Sequence, residues 1–96
     1  MMHGALIKLA LQDAIESLSR KEEPNLAELH WCLASLREHQ QSGDRSVGEN
    51  QDQVVRASMT VRETISQSIG GEFAEAQRHA EEAWRALDAR LKLEGE

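Results

Sequence analysis

Leu26, Leu29, Leu33 and Leu36 stand three and four residues apart, and comparable spacing recurs in three other stretches of the chain. At about 100° per residue, this pattern gathers apolar side chains on one face of an α-helix. It gathers them on neither face of a strand. The breaks between the stretches are Glu22-Glu23-Pro24-Asn25, Ser42–Glu49 and Gly70-Gly71. The expectation is therefore an all-α fold: four helices in two antiparallel hairpins, packed as an up-down bundle.

The first helix is expected from Ala5 to Arg20. Its apolar positions, Leu6, Ile7, Leu9, Ala10, Leu11, Ala14, Ile15 and Leu18, cover about half of the circumference or more. One neighbouring helix does not cover so wide a face. The helix is expected to sit centrally or to pack on a second copy of the chain, so that dimerisation is the alternative way of completing the bundle. For the second helix, Asn25 and Glu28 have the spacing of an N-cap and its third position. An alternative start puts Pro24 at the first helical position. This helix is expected to end near Gln41, before a polar loop, Ser42 to Glu49, which holds Gly43 and Gly48.

Asn50 and Gln53 repeat the capping spacing, and the third helix is expected to run to Ile69. Its stripe is Val54, Ala57, Ser58, Val61, Ile65 and Ile69, with Val55 and Met59 to one side. Gly70-Gly71 permits a tight reversal. The fourth helix is expected from about Glu72 to Leu91, with Phe73, Ala76, Ala80, Ala83, Trp84, Leu87 and Leu91 on one face. The alanines let a partner helix approach closely. The resulting organisation is one domain over residues 1–96, with hairpins at 5–41 and 50–93 joined by loop 42–49.

Leu26-Ala27-Glu28-Leu29 resembles Phe73-Ala74-Glu75-Ala76, and the same offset pairs Ala14 with Val61, Leu18 with Ile65 and Leu33 with Ala80. A decayed duplication would produce this, as would two amphipathic hairpins that share a period; the second is the expectation. Gly71-x-Phe73-x-x-Ala76-x-x-x-Ala80-x-x-Ala83 resembles the second helix of a tetratricopeptide repeat. The preceding helix departs from that family at Thr60, Glu63, Thr64 and Gln67. The resemblance implies a close-packed helical hairpin and no function.

Composition narrows the function. The chain is 40% hydrophobic and 29% charged, with a formal charge of −6. The acidic balance disfavours direct contact with nucleic-acid phosphates and with anionic membranes. No apolar run reaches the roughly 20 residues of a membrane span, and Met1–Leu11 lacks the basic start and cleavage site of a signal peptide. Cys32 is the single cysteine, so no internal disulfide can form, and the expected compartment is cytoplasmic.

No constellation of residues carries a chemistry. His30 and Cys32 point apart on a helix, His30 and His39 are too far apart along it for one ion, and His3 and His79 would have to converge from elsewhere. Cys32 lies beside the Leu stripe, which suits a buried thiol. Ser17, Ser35, Ser58 and Ser66 fall mid-helix, away from any exposed elbow. Glu-x-x-His does not occur, and Glu75 and His79 stand four apart. The expectations are no catalytic residue, no metal and no cofactor, hence a non-enzyme.

Trp31 is the sharpest single feature. It projects roughly 150° from its helix stripe, beside Ala27 and Ala34, and tryptophan is enriched at interface hot spots. The expected function is a non-catalytic protein–protein interaction module, an adaptor, inhibitor or regulator. Its interface would be Trp31, Ala27, Ala34, Leu9 and Ile15, its partners a second copy of the chain and an unidentified protein. The alternative is an acidic decoy that occupies the nucleic-acid-binding surface of another protein. A small enzyme or metal protein ranks last. Trp84 falls on the stripe of its helix and is expected in the core.

Overall fold

The computed structural model describes residues 4–41 and 49–93. They form four α-helices: α1 (Gly4–Ser19), α2 (Leu26–Gln41), α3 (Glu49–Ile69) and α4 (Phe73–Leu93). There is no strand among the described residues. The expected loop falls mostly outside them, at residues 42–48. The backbone is already helical at Glu49, so Asn50 lies within α3 rather than before it.

α1 and α3 terminate in the same way. Past α1, the amide of Lys21 donates to the Leu18 carbonyl and that of Glu22 to the Ser17 carbonyl. Past α3, Gly71 donates to Ser68 and Glu72 to Gln67. This double closure requires a left-handed residue at its centre. Gly71 supplies one at φ 78°, and Lys21 another at φ 58°. α2 is capped as the spacing predicts, with the Glu28 amide donating to Asn25 Oδ1 at 3.2 Å. Pro24 is buried in the turn, ahead of the helix.

The helices pack as a bundle. Contact is most extensive between α3 and α4, then between α1 and α4, then between α2 and α3, and least between α1 and α2. Among the described residues α1 does not adjoin α3, nor α2 α4. The main core joins Ile7, Leu11 and Ala14 of α1 to Leu29, Leu33 and Leu36 of α2, Val54 and Val61 of α3, and Ala83 and Leu87 of α4. Leu18, Ala76 and Ala80 form a smaller cluster, with Ile15 and Phe73 against it. The radius of gyration is 12.7 Å, close to the ~12.5 Å usual for one folded chain of this length.

The offset from residue 26 to residue 73 relates the cores of the two halves. Ala14 and Val61, Leu18 and Ile65, Leu33 and Ala80 are all buried. α2 presents leucine where α4 presents alanine: Leu29 against Ala76, Leu33 against Ala80, Leu36 against Ala83. Small side chains on α4 allow its close approach to α3.

Two expectations need correction. The spacing places Ile69 on the stripe of α3, yet it is 64% exposed, because α3 ends there and the chain turns away at Gly70. Of the two placements expected for α1, central or against a second copy, the central one is not found. Ile7, Leu11, Ala14 and Leu18 are buried, while Leu6 and Leu9 are exposed. α1 is not central; its neighbours are α4 and, slightly, α2.

Candidate protein-interaction surface

Trp31 lies on the outer face of α2 and is 41% exposed. Ala27 and Ala34, one turn to either side, are exposed as well. Leu9 is exposed on α1 together with Leu6. Ile15 separates from this set. It is half-buried against the Leu18, Ala76 and Ala80 cluster and lines a groove between α1 and α4 with Gln12, Glu81 and Trp84. The reason is angular: Ile15 and Leu9 are six residues apart and project about 120° from each other.

Leu6, Met59 and Ile69 complete the large exposed apolar side chains that the structure describes. Leu6 and Met59 could have been found by asking which apolar residues fall outside the narrowest stripe of each helix. α4 adds none among the described residues.

Trp84 sits at the edge of the core. It packs against the main cluster with part of its ring accessible. Lys8 Nζ lies 4.5 Å from the ring centre and donates to Asp88 Oδ1 at 2.9 Å. Indole and carboxylate thus hold one cation, joining the start of α1 to the end of α4.

The Cys32 thiol is fully buried. Burial, with the Glu28 carboxylate adding to it, pushes its pKa up to about 12. It stays protonated at neutral pH and is a poor nucleophile. His30 is exposed, and His39 is buried beside the core. His79 Nδ1 lies 2.8 Å from Gln67 Oε1 and 3.1 Å from the Glu75 carbonyl. Two acceptors at one nitrogen require it to carry the proton. Among the described residues no three His, Cys, Asp or Glu side chains converge as a metal site would require. No described helix is long and apolar enough to cross a membrane. No family model, curated protein or solved structure matches this chain.

Proposed function

We propose that this chain is a non-catalytic protein-interaction module, an adaptor, inhibitor or regulator that docks the outer face of α1 and α2 on a protein partner. The observation that carries this reading is the exposure of Leu6, Leu9 and Trp31 on a chain whose core is built from other residues. A small domain gains on the order of 2–3 kcal/mol by burying a tryptophan, and here part of that gain is left for an association. The helices are read as two antiparallel hairpins, α1–α2 and α3–α4. The Lys8–Asp88 bond and the Gln67–His79 bond suit that topology.

The acidic-decoy reading needs one continuous negative surface. Cations interrupt it at Arg20 beside Glu16, Arg78 beside Glu75 and Lys8 beside Asp88, which favours the apolar reading. The buried free thiol suits a reducing, cytoplasmic setting.

The test compares wild type and Trp31→Ala, each immobilised and exposed to lysate of the native host, with captured proteins identified by mass spectrometry. Light scattering on each pure protein reads self-association, for which a closed two-fold dimer is the default geometry. The expected result is an association present in wild type and lost in Trp31→Ala, with melting temperatures within a few degrees of each other. If Trp31→Ala fails to fold, Trp31 is a structural residue and the reading falls.

A further inference from the structure

The structure points to the kind of partner: a basic amphipathic helix of another protein, seated along the α1–α2 seam. This rests on the protein-interaction reading above and names its ligand class. Ala10, Asp13 and Ser17 of α1 line one small cleft with Asn25 and Glu28 of α2. Those sides of the two helices therefore face each other, and this is the least packed seam in the molecule. One turn before Ala10 and Asp13 stand Leu6 and Leu9, and three residues after Glu28 stands Trp31, all exposed. The apolar surface thus continues the seam rather than lying scattered.

The charges beside it are mostly negative. Asp13, Glu16 and Glu38 are exposed on the outer sides of the same two helices, and Glu28 is half-exposed. The cation beside these carboxylates is Arg20, whose guanidinium is shared by Glu16 at 3.3 Å and Glu22 at 3.4 Å; of the other cations on the two helices, Arg37 projects about 120° from Trp31 and Lys8, held by Asp88, about 100° from Leu9. An apolar strip bordered by carboxylates complements an apolar strip bordered by Lys and Arg. A second copy presents the same carboxylates, so a two-fold pairing over this face sets like charges together. Phosphate-bearing partners meet the same repulsion. A helical occupant fits because a groove between two helices admits the ridge of a third. An added strand needs an open sheet edge, which these helices lack.

The probe is a fluorescein-labelled synthetic peptide of about five helical turns, with Leu on one face and Lys on the other. Anisotropy measures its binding to the full chain. Fluorescence of Trp31, read alone in a Trp84→Phe background, places it. Comparison peptides carry Glu for Lys, or scramble the basic sequence.

The expected result is saturable binding of the basic helix, a Trp31 emission shift, and roughly tenfold or greater weakening by Leu9→Ala or Trp31→Ala. Asp13→Asn with Glu28→Gln should weaken it several-fold, mainly at low salt. Circular dichroism of each variant verifies that the fold is kept.

Absence of binding overturns the inference, and so does equal binding of the acidic or scrambled peptide. Equal binding to the Leu9→Ala and Trp31→Ala variants overturns it too, since adhesion is then charge attraction alone. If wild type instead self-associates through Trp31, this inference falls while the protein-interaction reading stands.

Discussion

Lys21 and Gly71 occupy the same place in two equivalent helix stops, at φ 58° and 78°. A side chain in the left-handed region costs on the order of 1–2 kcal/mol, and glycine avoids that cost while giving up some unfolded-state entropy. Nothing lies within 4 Å of a Cβ built on Gly71, so Gly71→Ala should destabilise by about 1 kcal/mol through the backbone alone. Lys21→Gly should stabilise by up to about 0.5–1 kcal/mol. Urea denaturation of both variants checks this, and opposite signs are the expected outcome. Cys32 carries a pH dependence of known sign. Its thiol titrates near 9.0 when unfolded and is pushed up to about 12 when folded. The folded state therefore favours the proton, and that contribution is complete below pH 9 and fades as pH rises from there toward 12. The stability advantage of wild type over Cys32→Ala should shrink across that interval, as followed by denaturation at stepped pH. Thiol reagents should label the native protein only at its rate of opening.

At the scale of elements, the α3–α4 seam shows why spacing alone underdetermines burial. Thr60 and Thr64 depart from an apolar pattern, yet both are buried. Each hydroxyl donates back to its own helix: Thr64 to the Thr60 carbonyl at 2.8 Å, and Thr60 to those of Arg56 and Ala57 at 2.9 and 3.1 Å. Their polar demand is met locally, so a neighbouring helix can cover them. That neighbour is α4, whose Ala76, Ala80 and Ala83 are fully buried. Thr64→Val should change stability by less than about 1 kcal/mol, because the bond lost is internal to the helix and the shape is kept. Ala80→Leu should cost about 1–3 kcal/mol, since extra carbons in a close-packed seam force the helices apart. Thermal melts of the two variants distinguish a seam held by small size from one held by hydroxyl bonds.

At the scale of the whole molecule, a polar link ties the first helix to the last. Lys8 reaches Asp88 with both side chains about three-quarters covered, and it rests on Trp84. A double-mutant cycle over Lys8→Ala and Asp88→Ala should give a coupling of roughly 0.5–1 kcal/mol, above that of most exposed pairs. Raising salt should reduce it. A coupling indistinguishable from zero would mean that apolar packing alone joins α1 to α4.

The chain alone determined four helices, their ends to within a few residues, the Asn25 cap, the Gly71 reversal and the burial of Cys32. These depend on neighbours three or four positions away, and such neighbours are visible in a linear sequence. It also marked Trp31, with Ala27 and Ala34 beside it, as lying off the core stripe of its helix, since angle around a helix is likewise a local property. Only the tertiary structure decided that α1 leans on α4 rather than on α2. That choice placed Ile15 in the groove between α1 and α4 and left Leu6 exposed along the seam. Which helix covers which face depends on side-chain volumes more than 40 residues apart, alanine on α4 against leucine on α2, and periodicity carries no record of that pairing.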